Sequence, residues 1–232
     1  MHYVSLFYYL MKVLFNERLR YGENMQVTTI NVKSSDNNTY VLIQDNQSIV
    51  IDPSCTDGRI QHTLSGTQLK AILLTHGHYD HFLGLNALHR LYPNAPIYCN
   101  HNDWDFVSGD ATIFSSQHLM DISYISQQSL NDIDSGHYTF GNFNVETFSM
   151  PGHSKGSVIY EIDHQLFTGD VLFKDSIGRC DLVGGSDKAM QQSLRLFKQF
   201  NDDTIVYPGH GSATTIGNER HYNPWLIHLI GR

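Results

Sequence analysis

The chain has 232 residues, 41% of them hydrophobic, enough for one sizeable domain with its own core. Its formal net charge is -8 and its Lys and Arg residues form no cluster, which argues against a protein that grips a nucleic-acid backbone by charge. Cys55, Cys99 and Cys180 are odd in number and far apart, so neither a disulfide framework nor a thiolate metal site is expected, and a reducing, cytoplasmic setting is.

Residues 1–24 read differently from the rest. Tyr3 to Phe15 is apolar and aromatic apart from Ser5 and Lys12. It lacks the basic start and the small-residue cleavage site of a signal peptide. It is also too short and interrupted for stable membrane insertion. We read it as an extension upstream of a functional chain that starts at Met25; a short amphipathic anchor is the alternative. Residues 25–232 are expected to form a single domain.

Gln26 to Val32 opens that domain as a strand. Thr39 to Gln44 and Ser48 to Ile51 are rich in β-branched residues and flank Asp45-Asn46-Gln47, which predicts a hairpin. Leu69 to Thr75 is a continuous apolar run suited to a strand buried on both faces. Phe82, Leu85, Leu88 and Leu91 recur at helical spacing until Pro93 ends the segment. Ile97 to Cys99 predicts another strand. Residues 102–136 are polar and mixed and carry no clear pattern; Trp104, Phe106 and Tyr124 are candidate pocket or core aromatics. Val145 to Met150, Val158 to Ile162 and Leu166 to Thr168 predict three more strands. Ser186 is a plausible N-cap for a helix carrying Met190, Leu194, Phe197 and Phe200. Thr204 to Tyr207 is the last predicted strand. Strands outnumber helices, which suggests sheets covered by helices.

Polar motifs follow four of these runs. Thr75-His76-Gly77-His78-Tyr79-Asp80-His81 comes after the buried strand. Pro151-Gly152-His153-Ser154, Thr168-Gly169-Asp170 and Pro208-Gly209-His210-Gly211 each come after another. Loops held by rigid strands are where sites are built. Imidazole nitrogens and carboxylate oxygens suit Zn²⁺, and Fe or Mn as well. His76 and His78 point the same way in an extended segment, and Asp80 and His81 can face a second ion from the turn that follows. Gly77, Gly152 and Gly209 let the backbone bend tightly beside these side chains. A lone Gly-His pair is usually structural, but scattered packing histidines do not explain all four motifs after strands. Seven candidate ligands for two divalent ions leave a position open for a shared water.

This succession, His-x-His-x-Asp-His, an isolated His, an Asp and a final His, resembles the metallo-β-lactamase superfamily from about Met25 onward. The resemblance implies an α+β fold, an αββα sandwich of two mixed β-sheets with helices on the outer faces. It also implies that His76, His78 and His153 hold a first metal, that Asp80, His81 and His210 hold a second, and that Asp170 bridges both. Several branches of the superfamily fit less well. Dinuclear β-lactamases commonly place another residue where Asp170 stands, flavodiiron oxidases use Glu where His78 stands, and the nuclease branches carry long extra arms. Gly169-Asp170-Val171-Leu172-Phe173, the stretch Ser176 to Leu182 and the ending around Tyr207 to Gly211 look like the short glyoxalase II-like hydrolases. Arg179 and Asp181 are familiar in that group and read here as a loop-ordering ion pair. The helical C-terminal domain that binds glutathione in full-length glyoxalase II enzymes has no counterpart after His210, so that mode of glutathione binding is not expected.

The expected activity is therefore hydrolysis of a small-molecule thioester of the hydroxyacyl-thiol type, with Asp80 and Asp170 as catalytic carboxylates. Two ions sharing a water would lower its pKa to about 7. A thiol leaving group, with a pKa of about 8.5, departs without a strong general acid. Two alternatives are an iron-dependent persulfide dioxygenase using His76, His153 and Asp170, and a non-catalytic metal-binding protein on the same fold.

Overall fold

The computed structural model describes residues 25–33, 36–109 and 124–230. The extension read over residues 1–24 lies outside them. Two six-stranded sheets form the centre. The first runs, in spatial and chain order, β1 (Gln26–Val32), β2 (Asn37–Gln44), β3 (Gln47–Ile51), β4 (Gln68–Leu73), β5 (Ile97–Tyr98) and β6 (Leu130–Asn131). β1 to β3 pair antiparallel, and β3 to β6 pair parallel. The β2–β3 turn closes on Asp45 and Asn46 at φ of 48° and 59°, the left-handed pair that a two-residue hairpin matching strand twist requires.

The second sheet contains β7 (Gly136–Phe140), β8 (Phe143–Ser149), β9 (Val158–Ile162), β10 (Gln165–Gly169), β13 (Ile205–Pro208) and β14 (Thr214–Thr215). All its pairs are antiparallel except β10 with β13. A small hairpin of β11 (Leu172–Phe173) and β12 (Ser176–Ile177) follows β10.

Side-chain alternation explains the layering. In β3, Ile49 and Ile51 face the second sheet while Val50 faces outward; in β4, Ala71 and Leu73 face in and Ile72 faces out. The inner set meets Phe143, Val145, Val158, Tyr160 and Phe167 of the second sheet. Helices α1 (Arg59–Thr63) and α2 (Leu85–Leu91) cover the outer face of the first sheet through Ile60, Leu85 and Leu88. Helices α4 (Asp187–Leu194) and α6 (Pro224–Ile230) cover the second, with Met190, Leu194 and Leu226 packed on Ile159, Leu166 and Val206. Two shorter helices are α3 (Trp104–Ser108) and α5 (Ile216–Tyr222). The result is a sandwich of two mixed sheets between helical layers, of the α+β class.

Most expected strands appear within a residue or two. The helix expected from Phe82 starts only at Leu85, because Tyr79–His81 forms a 3-10 turn first, and Leu91 is 60% exposed and belongs to no buried face. Ser186 caps α4 by accepting from the Ala189 N–H at 3.3 Å. Phe197 and Phe200 continue its buried face on a following 3-10 segment. The sheets are also tied together at one end. Asn38 of β2 donates its backbone N–H to Gly209 O at 2.8 Å and its side-chain amide to Pro208 O and Gly211 O. No helix among the described residues is long and apolar enough to cross a membrane.

Candidate metal centre

β4, β8, β10 and β13 end at the same edge of the sandwich, and the loops leaving them carry His76–His81, His153, Asp170 and His210. The structure brings all seven candidate residues together. Three sets of ligand atoms each lie within 4.8 Å of one another: His76, His78 and His153; His76, His81 and Asp170; Asp80, His81 and His210. Asp170 stands between the outer two sets. Its Oδ1 is 3.3 Å from His81 Nε2, and its Oδ2 is 3.3 Å from His153 Nε2 and 3.5 Å from His210 Nε2.

Hydrogen bonds on the far side of each imidazole aim the near side inward. His81 Nδ1 lies 2.9 Å from Asp52 Oδ2, His153 Nδ1 2.8 Å from Arg179 O, and His210 Nδ1 3.1 Å from Asp36 O. These partners only accept, so each Nδ1 carries a proton and each Nε2 is turned to the centre. Against the effect of burial, Asp170 and Asp52 raise His81 well above its ordinary value, and Asp170 and Asp80 raise His210 to about 10, so a cation held there would take the place of the Nε2 protons. Thr75 Oγ1 donates to Asp52 Oδ2 at 2.7 Å and so accepts from His76 Nδ1 at 3.1 Å. His78 is turned the other way, its Nδ1 2.7 Å from His153 Nε2.

This arrangement fits metal ions. His76 Nε2, His81 Nε2 and Asp170 Oδ1 are buried without a hydrogen-bond partner. Unsatisfied buried polar atoms are expensive, and metal cations would satisfy these converging imidazole nitrogens and carboxylate oxygens together. Burial pushes His76 well below its ordinary value, assisted by His81, and pushes His78 down to about 4, assisted by His153. Both are thus neutral donors near pH 7. Burial alone would raise Asp170, but His81, His210 and His76 hold its carboxyl well below the usual range.

A family model for the metallo-β-lactamase superfamily matches residues 34–210, a span that includes every residue of this cluster. The chain belongs to the metallo-β-lactamase superfamily. YqgX of Bacillus subtilis (strain 168), described as a probable metallo-hydrolase, is 33% identical over 195 residues, covering 82% of this chain and 92% of the relative. The crystal structure of the BLEG-1 B3 metallo-β-lactamase aligns with a TM-score of 0.78 at 31% identity, over 87% of this chain and 99% of that one. TTHA1623, crystallised in a di-iron-bound form, aligns with a TM-score of 0.75 at 30% identity, over 86% and 100% of the two chains.

Two residues of this superfamily member escaped the sequence reading. Asp52, at the end of β3, also accepts from the Thr75 N–H at 2.8 Å, so one carboxylate orients His81 directly and His76 through Thr75. Its signal is weak: Asp52-Pro53 follows a strand as the other motifs do, but carries no histidine. Asp103, completely buried, accepts from Gly77 N and Ser154 Oγ on one oxygen and from Gly156 N on the other. Burial raises its carboxyl above the ordinary range, against the pull of those hydrogen bonds. No sequence spacing marks it.

The cluster opens into a cavity of about 690 Å³. His78, Asp80, His153, Asp170 and His210 form one side, and Phe106, Phe173, Ile177, Leu182 and Val183 much of the rest. Of the three aromatics considered from the sequence, only Phe106 lines it. Trp104 packs on the outer core and donates to Cys99 O at 2.8 Å, while Tyr124 lies beside Phe82 and Gly109. Arg179 and Asp181 form a bidentate pair at 2.6 and 2.7 Å with both side chains largely exposed, and the Arg179 backbone carbonyl orients His153.

Proposed function

We propose that the chain is a metal-dependent hydrolase of thioesters that holds two divalent cations. His76, His78 and His153 take one, Asp80, His81 and His210 the other, and Asp170 is shared. The donor set suits Zn²⁺ and also Fe or Mn; the di-iron form of TTHA1623 keeps iron in view. When bound, such a pair supplies a water of lowered pKa and Lewis acidity toward a carbonyl oxygen.

The observation that carries the thioester reading is the make-up of the cavity wall. Among the described residues, every carboxylate and imidazole that lines the cavity belongs to the cluster. Among the described residues, the only other ionisable groups on the wall are Tyr79 and Arg179, and Arg179 is held by Asp181. An amide would need its departing nitrogen protonated, whereas a thiolate leaves unaided. Asp80 faces the cavity with Oδ2 3.4 Å from His210 Nε2, and its carboxyl is held low by His210 and His81 against the opposing effect of burial. It is placed to orient the attacking water. The net charge of -8 supports a small-molecule substrate rather than a nucleic acid.

The test is a panel assay of metal-loaded protein: S-lactoylglutathione, simple acyl thioesters, a β-lactam, and oxygen uptake with glutathione persulfide. Thioester turnover is expected, with a drop of at least about a hundredfold in Asp170→Ala, since even outer partners of metal ligands are worth 10–100-fold. Oxygen uptake without thioester cleavage would install the dioxygenase reading. Inactivity of metal-replete protein on the whole panel would favour a binding role.

A further inference from the structure

The wall opposite the candidate metal centre is apolar to an extent that a polar, charged substrate does not call for. Phe106 meets His78 edge-on with ring centroids 5.9 Å apart, and Phe173 meets His210 the same way at 5.8 Å. The apolar surface therefore begins at the ligands themselves. It continues through Ile177 to Leu182 and Val183, which are 38% and 54% exposed. Two adjacent large aliphatic side chains left open at a cavity mouth lose hydration cost when something apolar covers them.

The charge pattern points the same way. Arg179 is the only Lys or Arg among the described residues that line the cavity. Its guanidinium is engaged by both oxygens of Asp181 in a fork that leaves little of its charge for a ligand carboxylate. A thiol carrier rich in carboxylates, such as glutathione, would have to desolvate them against this wall without a cationic partner.

We infer that the cavity selects thioesters bearing a long, uncharged, apolar chain, and that Phe106, Phe173, Ile177, Leu182 and Val183 are the specificity-determining surface. The inference rests on the thioester reading above. The chain can belong to the acyl group or to the thiol, because both flank the same carbonyl and meet the same wall. Its chemistry is the same in either case: each methylene transferred from water to the wall strengthens binding by a similar factor.

The experiment measures kcat/KM for metal-loaded protein on two series and one reference. The first series has acetyl, butanoyl, hexanoyl and octanoyl groups on N-acetylcysteamine. The second has acetyl groups on alkanethiols of matching length. The reference is S-lactoylglutathione. In one series kcat/KM is expected to rise about three- to fourfold per methylene until the wall is filled, and the better series identifies the side that carries the chain. Leu182→Asp and Val183→Asp, both at exposed positions that can accept charge without unfolding, are expected to lower the octanoyl-to-acetyl ratio (or its alkanethiol equivalent) by about tenfold or more. Flat series with S-lactoylglutathione as the best substrate would overturn the inference and leave the thioester reading standing. A rising series that neither aspartate variant flattens would overturn the assignment of this wall. Failure to cleave any thioester would overturn both readings.

Discussion

Asp103 Oδ2 and Ser154 Oγ lie 2.6 Å apart, and the same carboxylate holds the backbone N–H groups of Gly77 and Gly156 at 2.9 and 2.8 Å. Gly77 separates His76 from His78 at the end of the first sheet, and Ser154 follows His153 at the end of the second. One buried carboxylate thus fixes the spacing between ligand loops that belong to different sheets. A Cβ on Gly77 would sit 2.8 Å from Asp103 O, so the loops also touch too closely for any larger residue.

Asp103→Ala leaves the Gly77 and Gly156 N–H groups without this acceptor and leaves Ser154 Oγ only Ser157 Oγ as a partner, and Asp103→Asn turns an NH₂ toward at least one of the three donors. Both variants are expected to weaken metal binding at His76, His78 and His153 by about 10- to 100-fold, with less effect at Asp80, His81 and His210. Chelator competition followed by the visible absorption of Co²⁺-substituted protein separates the two. Equal weakening at both would mean that Asp103 supports the fold rather than the spacing.

Gly209→Ala probes crowding in the other half of the cluster. The added methyl would fall 2.3 Å from Asp170 Oδ1 and 2.7 Å from His81 Cε1. A loss of about 1–3 kcal/mol is expected, along with weaker metal retention. Urea denaturation with chelator present measures the first without the second.

Chelation should destabilise the whole protein, because it strips a cation from buried donors that have no other partner. At free ion about a hundredfold above its Kd, one site contributes about 2.7 kcal/mol. Removing it is expected to lower Tm by about 5–10 °C for a chain of this size. Scanning calorimetry before chelation, after it and after re-addition of metal checks both the size and the reversibility.

Far from the cluster, Glu161 of β9 is the register partner of Glu146 of β8. Burial and the Glu146 charge raise the Glu161 carboxyl, with His164 partly offsetting them. The folded state therefore disfavours ionised Glu161. Stability is lost as pH rises from the unfolded pKa through the folded one, and it stays lost at neutral pH. Glu161→Gln should be more stable at pH 7, by less than about 1 kcal/mol because solvent screens the pair. The advantage should vanish once pH falls below the carboxylate range. Thermal melts across pH 3–8 follow it.

The sequence made the strand ends legible because each motif couples a burial pattern to unusual residues. β4 is apolar on both faces and runs straight into the histidine-rich turn; β8, β10 and β13 likewise lead into Gly-His or Gly-Asp. Of the two-residue strands, only β5 is legible, through the run Ile97 to Cys99; β6, β11, β12 and β14 are too short to show a period. Asp52 and Asp103 stayed hidden for a different reason. A single carboxylate on a loop gains its meaning only from the N–H groups that tertiary structure brings to it, and its neighbours in sequence carry no trace of them.

The Asn38 contacts to Pro208, Gly209 and Gly211 close a seam between the two halves of the chain, since the first sheet is built wholly from residues before β7 and the second wholly from those after β6. Each half brings only part of the cluster: His76, His78, Asp80 and His81 emerge early in synthesis, and His153, Asp170 and His210 late. A nascent chain cannot grip an ion from both sides until the later half has docked. The full set of seven ligands therefore exists only once the two halves have found each other.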